Sequence, residues 1–441
     1  MDFRLRDFAY PLGILRLRRS LEATQWWSEA RLSAWQDERL CALVRHAAAQ
    51  VPYYARVLGE AGVDPAAFRG TADLARLPLL SKDLVREHEA ALHARHAWRY
   101  GPRPSLTSGS TGTALRFLLD RPTNVLEFAT LWRQFNWAGY RFGDTFCDLR
   151  GRVVHAADGV VWDPRLRSLN LSSFELTRER ARVYAARIRA ARPALVRGYP
   201  SSISVLARWM LEDGLDVPPP RAVLTSSETL LEADREIIGR AFGAPVLDYY
   251  GQMERVAFIG MCAEGRYHVV PEYGVVEVLD DHDRPVAPGV EGQLVATGLH
   301  HRAMPFIRYQ TRDLVVLGRE SCPCGRAYAT VERITGRLED LVITPDGRHV
   351  GRLDAAFKYS QGIRLAQIVQ DSAEAITVRI VRAPSYSEAD SRTLLRELRA
   401  RLGEAIHIDL VFVDAIATTA AGKLQFVVSR VGARGSETLR R

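Results

Sequence analysis

The chain has 441 residues, 47% of them hydrophobic, and a net charge of +8 in which only three of the 60 basic residues are lysines. This size predicts a large core divided into two or more domains. The basic residues are scattered among 52 acidic ones, which argues against nucleic-acid binding. The absence of a long apolar stretch argues against a membrane span, and five cysteines without an export signal favour a reducing cytoplasm.

The first hundred residues predict mainly helices. Apolar residues repeat at helical spacing from Leu32 to Ala47, and the run stops at Pro52. We interpret this part as a scaffold for the segments that follow.

A segment of small residues comes next, and it reads Thr107, Ser108, Gly109, Ser110, Thr111, Gly112, Thr113 and Ala114. Glycines allow the backbone to approach an anion closely, and hydroxyls add hydrogen bonds to phosphate oxygens. Apolar residues on both sides predict flanking strands instead of a flexible linker. No lysine follows the last glycine, so this is not a Walker A loop. The segment predicts binding of a polyphosphate, and therefore of a nucleotide.

Short strands alternate with helices from residue 105 to about residue 340, which predicts an α/β fold. We expect helices at 181–191 and 202–213, and strands at 194–197, 221–225, 274–279, 292–297 and 313–317. Beyond residue 340, strands at 367–370, 375–381 and 406–413 surround an amphipathic helix at 387–402. This second pattern predicts a small α+β domain.

Several motifs in the α/β region suit a nucleotide and its metal. Ser227 and Glu228 follow a strand end, where ligands sit in α/β sheets. In the segment 248–254, a tyrosine can stack on adenine and Glu254 can ligate Mg²⁺, although a core tyrosine pair with a surface glutamate is the alternative. Further along, Asp313 can accept hydrogen bonds from both ribose hydroxyls.

Lys423 is notable because lysine is rare here and arginine is the usual cation. It follows Gly422 in a turn of small residues before an expected strand at 424–428. An ammonium on a flexible stem differs chemically from a guanidinium fork. Lys423 is therefore either a mobile lysine that contacts a substrate carboxylate and an ATP phosphate, or a solvated turn residue.

Four residues form a Cys₃His set, namely Cys262, His268, Cys322 and Cys324. Such a set is typical of structural zinc, and four ligands leave no open position for catalysis. Buried free thiols are the alternative. The remaining cysteines, Cys41 and Cys147, are interpreted as packing residues.

These motifs in this order resemble the adenylate-forming ligase superfamily, and within it the phenylacetate-CoA ligase-like branch that includes capsule-biosynthesis homologues. The resemblance covers nearly the whole chain and includes 51–54 (VPYY), 77–82 (LPLLSK), 197–201 (RGYPS) and 304–309 (MPFIRY). It implies a large N-terminal domain at 1–338, which is helical at its start, and a small mobile C-terminal domain at 339–441 that rotates about Glu339.

The resemblance also implies roles for single residues. ATP is assigned to Thr107, Ser108, Gly109, Ser110, Thr111, Gly112, Thr113, Glu228, Tyr249, Tyr250, Asp313 and Arg337. The acyl substrate is assigned to Tyr199, Pro200, Ser227 and Gly251, and catalysis to Lys423 and to Glu254 with its Mg²⁺. Three positions depart from the family pattern: Arg312 replaces a glycine, Gln252 replaces Thr or Ser, and Glu339 replaces Asp. Phe135 and Trp137, with Tyr199 and Tyr249, are candidates for an aromatic acyl pocket, but core packing explains all except Tyr249 equally well.

The implied activity is that of an ATP-dependent, AMP-forming ligase in the cytoplasm. A carboxylate attacks the α-phosphate, pyrophosphate leaves, and the acyl-adenylate passes to CoA or another acceptor. Transfer to an amine, on a sugar or an amino acid in polysaccharide or secondary-metabolite biosynthesis, is one alternative. A catalytically inactive nucleotide-binding homologue is another, because Arg312 and Gln252 alter the nucleotide motifs. Expected ligands are ATP, Mg²⁺, CoA and structural Zn²⁺, and a homodimer is left open.

Overall fold

The computed structural model describes residues 9–106, 115–150, 158–173, 176–337, 342–346, 349–350, 353–357, 360, 362–417 and 425–431. The predicted phosphate loop at 107–114, the predicted hinge Glu339 and Lys423 lie outside these residues.

The first hundred residues are mainly helical, as predicted. The helices are α1 Ala9–Thr24, α2 Glu29–Gln50, α3 Pro52–Glu60, α4 Lys82–Glu87, α5 Glu89–Leu92, α6 Arg121–Trp137, α7 Arg178–Ala191, α8 Pro200–Asp213, α9 Glu232–Phe242, α10 Asp354–Phe357 and α11 Glu388–Leu402, with 3-10 turns at Thr71–Arg76 and Ala97–Tyr100. The apolar stripe of α2 is buried, and α3 begins at Pro52, whose fixed φ suits a first helical position. None of the described helices combines the length and apolarity needed to cross a bilayer.

Most of the predicted strands are present, although β13 and β17 begin four residues earlier than expected, and the structure adds strands that were not predicted. They are β1 Arg103–Leu106, β2 Arg116–Leu119, β3 Phe146–Arg150, β4 Val160–Asp163, β5 Ser168–Ser172, β6 Leu195–Gly198, β7 Ala222–Ser226, β8 Val246–Gly251, β9 Phe258–Met261, β10 Tyr267–Val269, β11 Gly274–Leu279, β12 Glu291–Gly298, β13 Tyr309–Leu317, β14 Thr330–Arg337, β15 Val342–Ile343, β16 His349–Val350, β17 Ile363–Ser372, β18 Ala375–Arg382, β19 His407–Phe412 and β20 Val427–Ser429. The hairpin of β1 and β2 confirms the predicted strands on either side of 107–114.

Twelve of the described strands form one sheet in the order β11-β12-β13-β14-β10-β9-β8-β7-β6-β3-β5-β4. Strands β5, β3, β6, β7 and β8 are parallel, and the strands from β9 to β14 are antiparallel. The α/β pattern and its β-rich continuation are therefore two halves of a single sheet. The connection from β8 to β9 joins them.

Apolar side chains cover both faces of the parallel half. One cluster includes residues of α7, α8 and α9, and a second includes residues of α1 and α6. A third cluster packs α2 and α3 against the antiparallel half. Buried on both faces, the parallel strands have fixed positions relative to one another.

The C-terminal region has its own apolar cluster, as the predicted α+β pattern requires. Its sheet has the order β19-β18-β17-β20, and α11 packs on it through Leu394, Leu398 and Leu402. A capping box formed by Ser387 and Asp390 begins α11. Strand β17 is longer than predicted, because pairing with β18 extends to residues outside its apolar run.

A buried ion pair connects the N-terminal helices to the large sheet. Arg133, 1% exposed in its side chain, lies 3.0 Å from Glu272, which also accepts hydrogen bonds from Thr24 and Tyr328. Burial alone would raise the pKa of Glu272, but the Arg133 charge and these hydrogen bonds hold it below its usual range. The pair therefore fixes α1 and α6 to the sheet.

We expect Arg133→Met to lower the free energy of unfolding by about 3–5 kcal/mol, because it leaves the Glu272 charge buried without its partner. The exposed pair of Arg392 and Glu388 supplies the control, and Arg392→Met should cost less than about 0.5 kcal/mol. Urea unfolding followed by tryptophan fluorescence measures both. The double variant Arg133→Met/Glu272→Met should be more stable than the single variant. An equal loss in the single and double variants would contradict the charge argument.

Candidate functional site

The candidate site lies at the carboxyl edge of the parallel strands. Strands β3, β6, β7 and β8 pair in one continuous register. Extending this register by one residue aligns Arg150, Tyr199, Ser226 and Tyr249 across the four strand ends, a set that we call the edge row. Residues in one row of a parallel sheet project to the same face. Ligands of α/β sheets bind outside such an edge.

The turn after β7 brings together three of the predicted substrate and nucleotide residues. Ser227 has a left-handed backbone with φ of 73° and is exposed. Glu228 Oε2 accepts a hydrogen bond of 3.1 Å from the backbone N–H of Ser201, in the first turn of α8 after Pro200. A carboxylate is favourable at a helix N-terminus. Glu228 thus fixes the start of α8 next to the end of β7.

The two tyrosines of the 248–254 motif project to opposite faces of β8, because side chains alternate along a strand. Tyr249 stacks on Phe258, with ring centroids 5.3 Å apart, and belongs to the edge row. Tyr250 donates a hydrogen bond to Asp313 and accepts one from Gln252 at 3.2 Å. Gln252 thus supports the hydroxyl that contacts the predicted ribose-binding carboxylate. Gly251 ends the strand and is exposed.

Glu254, the predicted magnesium ligand, is 5% exposed. The Tyr309 hydroxyl donates to Glu254 Oε1 at 2.7 Å, and burial followed by the Glu254 charge raises the pKa of Tyr309. No described residue donates to Oε2. One carboxylate oxygen is thus held in place while the other can face a cation, which fits Mg²⁺ because this ion usually takes one or two carboxylates together with waters and phosphates.

Asp313 occupies a strained part of β13. The preceding residue, Arg312, has φ of 65°, a conformation that favours glycine. The backbone therefore has a shape that suits the glycine implied here by the resemblance, although a side chain is present. The Arg312 guanidinium lies 3.3 Å from Asp83. Asp313 pairs in register with Arg337 on β14, which makes these two predicted ribose contacts neighbours in the sheet.

Arg150 is a site residue that the sequence motifs missed. Its Nη2 donates to Ser226 Oγ at 2.6 Å and to the Tyr249 hydroxyl at 3.0 Å, and its guanidinium carbon lies 5.7 Å from the centre of the Tyr199 ring. The side chain thus spans the edge row from β3 to β8. A charged residue at the end of an otherwise buried strand was the available signal, and it is a weak one among so many arginines.

The four predicted zinc ligands come together. The Cys262 and Cys322 sulfurs are 3.6 Å apart, Cys324 Sγ is 3.4 Å from His268 Nε2, and all four ligand atoms lie within 4.8 Å of one another. Zinc bonds of about 2.0–2.3 Å in tetrahedral geometry place neighbouring ligand atoms about 3.5–3.8 Å apart. The donor set and its spacing therefore fit one zinc ion.

Two aromatic residues considered for the acyl pocket lie elsewhere. Phe135 is in the core beneath Arg197, 6.4 Å from the ring of Phe146. Trp137 packs edge-on against His268 with ring centroids 6.1 Å apart, beside the Cys₃His cluster. Both belong to α6, and the alternative of core packing is correct for them. Tyr199 and Tyr249 remain at the sheet edge.

Asp248 lies one residue before the edge row, on the opposite face. It accepts hydrogen bonds from Thr225 at 2.6 Å and from the Tyr267 hydroxyl at 2.8 Å. Burial is the largest influence and raises the pKa of Asp248 to about 7, although both hydrogen bonds act in the other direction. This carboxyl therefore titrates near neutral pH directly beneath the site.

Comparison with known proteins gives three matches that bear on this geometry. Residues 342–430 match the model of the CapK C-terminal domain. The phenylacetate-coenzyme A ligase of Thermus thermophilus is 30% identical over 321 residues, which cover 71% of this chain and 72% of the relative. Protein CapK of Staphylococcus aureus is 24% identical over 375 residues, or 82% and 81% of the two chains.

A solved structure shows the same fold. The crystal structure of a 2-hydroxyisobutyryl-CoA ligase, bound to an acyl-AMP in the postadenylation state, matches with a TM-score of 0.74 at 21% identity. The match covers 95% of this chain and 94% of that chain. The predicted fold class, a large α/β domain followed by a small α+β domain, is thereby confirmed.

The Asp248 carboxyl makes stability depend on pH. Its folded pKa of about 7 exceeds the unfolded value, so the stabilisation by the protonated form is complete below about pH 4 and is lost as pH rises to about 7. We expect the stability of Asp248→Asn relative to the native protein to increase by on the order of 2–4 kcal/mol between pH 4 and 8. Urea unfolding at several pH values measures this, with exposed Asp409→Asn as the control. A pH-independent difference would contradict the raised pKa.

Proposed function

The chain belongs to the phenylacetate-CoA ligase family of adenylate-forming enzymes, and from this premise we propose how its carboxyl-edge site activates an acid. The protein is an ATP-dependent, AMP-forming carboxylate ligase, as the sequence predicted. In this reaction a carboxylate oxygen attacks the α-phosphorus of ATP, the bond to the β-phosphate oxygen breaks, and pyrophosphate leaves. The product is an acyl-adenylate, whose acyl group then passes to an acceptor.

The convergence of Tyr250, Asp313 and Glu254 carries the assignment of the nucleotide site. Asp313 and Glu254 come from segments far apart in sequence, and each accepts a hydrogen bond from a buried or half-buried tyrosine. We assign the ribose to Asp313 with Arg337, the adenine to Tyr250 and Glu228, and the phosphates to 107–114. Tyr249, also predicted to contact ATP, lies on the opposite face of β8 from Tyr250, and we assign it to the acyl side of the site. Both carboxylates are held in place before ligand arrives, which favours precise placement of the nucleotide.

Two negatively charged reactants must approach each other in adenylation. We assign to Glu254 the binding of Mg²⁺, which would neutralise phosphate charge, and to Lys423 the ammonium that offsets the charge of the attacking carboxylate. Ser227, Pro200, Tyr199 and Gly251, at the strand ends, would contact the acyl group.

CoA is the acceptor that we propose. The family premise supports this choice, since relatives across several species are named as CoA ligases. Transfer to an amine is the second candidate, and the match of residues 342–430 to the CapK C-terminal domain favours keeping it. The two candidates are separated by measuring whether AMP release requires CoA or instead requires an amino sugar or amino acid as the acceptor.

The start of the match to the CapK C-terminal domain at residue 342 supports a domain boundary near Glu339, the residue that we propose as the hinge.

We expect Lys423→Ala to lower carboxylate-dependent ATP–pyrophosphate exchange by on the order of 10²-fold or more, because it removes a charge placed at the transition state. Lys423→Arg should restore little, since a guanidinium differs from an ammonium in shape and reach. Lys358→Ala, at the other lysine of the C-terminal region, is the matched control. Unchanged exchange in Lys423→Ala would overturn the role. Absence of exchange in the native protein with all acids would favour an inactive nucleotide-binding homologue.

The Cys₃His cluster supports a structural zinc ion. We expect about one zinc per chain after expression in zinc-supplemented medium, and Cys322→Ser should lower both zinc content and melting temperature because metal binding is coupled to folding. Elemental analysis and thermal unfolding measure these effects. Cys41→Ser, at a cysteine outside the cluster, should retain the metal. Zinc-free native protein would leave the alternative of buried free thiols.

A further inference from the structure

Arg150 holds its guanidinium in a fixed position at the sheet edge. The two hydrogen bonds from Nη2 to Ser226 and Tyr249 use one of its three nitrogen atoms. Among the described residues, the buried Nε atom has no hydrogen-bond partner, and none accepts a hydrogen bond from Nη1. The side chain keeps 23% of its surface exposed. The protein thus fixes the orientation of the Arg150 side chain but accepts hydrogen bonds from only part of its guanidinium group.

The charges around Arg150 do not balance. In the part of the chain that the structure describes, the nearest carboxylate is Asp148, which is 1% exposed and accepts two hydrogen bonds of 3.0 Å from Arg197. Arg150 Nε lies 3.5 Å from the same Asp148 oxygen, too far for a good hydrogen bond. Among the described residues, one carboxylate thus faces two guanidinium groups. A partly buried excess of positive charge is stabilised when an anion binds next to it.

The position of Arg150 separates it from the proposed ribose contact Asp313. Tyr249, which it contacts, projects from the face of β8 opposite to Tyr250, which contacts the ribose-binding candidate Asp313. Its other neighbours in the edge row are Ser226, which precedes the predicted acyl residue Ser227, and Tyr199, which is itself a predicted acyl residue. The excess charge therefore lies on the acyl side of the site.

We propose that Arg150 is a specificity-determining residue that binds an anionic group of the acid substrate other than the carboxylate that becomes activated. The substrate class is then an acid with a second negative charge, such as a dicarboxylate. This inference rests on the proposed function, because it needs the edge row to face the acyl group. Fixed by Ser226 and Tyr249, the guanidinium is prepared for an anion before binding, which limits the entropy lost on binding.

Matched acids that differ in one charge test the proposal. ATP–pyrophosphate exchange is measured with succinate against its monoamide, and with 4-carboxyphenylacetate against 4-carbamoylphenylacetate. The native protein should prefer the dianion of each pair by about 10-fold or more in kcat/KM. Arg150→Met should lower kcat/KM for the dianion about 10- to 100-fold and change the amide by less than about threefold. Arg150→Lys should lie between, and exposed Arg392→Met should match the native protein.

Other outcomes have definite meanings. A native preference for the amides, or an equal loss for both members of each pair in Arg150→Met with unchanged melting temperature, would overturn the proposal. If the native protein exchanges no acid, the ligase function fails, and thermal shifts with the same dianions decide about Arg150. Stabilisation by dianions that is lost in Arg150→Met would support the anion site on its own, and the absence of any stabilisation would overturn it.

Discussion

The arrangement of the site depends on the register of four parallel strands. Because β3, β6, β7 and β8 pair without a slip, Arg150, Ser226 and Tyr249 share a face, while Asp248 projects to the other. A shift of one residue in any strand would exchange these faces and separate the side chains. Helices packed on both sides of the sheet oppose such a shift. The placement of the edge-row side chains therefore depends on the apolar packing of helices against the sheet.

The sequence predicted the elements well where one periodicity covers the whole element. Strand β11 has the predicted bounds, and α7, α8 and α11 begin within three residues of their expected starts. Strand β13 is four residues longer than predicted, because its pairing with β12 resumes at Gln310 and Tyr309 beyond a break in register that contains Arg312. Tertiary pairing there overrides the local preference, at the cost of a left-handed Arg312.

Site residues of a rare type could be predicted from the sequence, whereas site residues of a common type could not. Four soft ligands in a chain with five cysteines stand out, and they do meet. Arg150 does not stand out among many arginines, and only the lateral register of the sheet distinguishes it. Aromatic residues are equally ambiguous, since Trp137 packs against His268 whereas Tyr249 lies at the sheet edge. The sequence shows which residue types are rare, but which side chains lie on the same face of a sheet is known only when the strand pairing is known.

The pairing of β10 with β14 has a consequence for the order of folding. Tyr267 of β10 meets Val331 of β14, so the edge of β10 stays unpaired during synthesis until the whole β11–β13 meander has emerged. At about 5–20 residues per second this takes several seconds, and an open strand edge can pair with other chains. Cys262 and His268 lie before that meander, and Cys322 and Cys324 lie at its end. A metal ion bound by all four would close the same loop that the pairing of β10 with β14 closes, and it could do so as soon as Cys324 has emerged, just before β14.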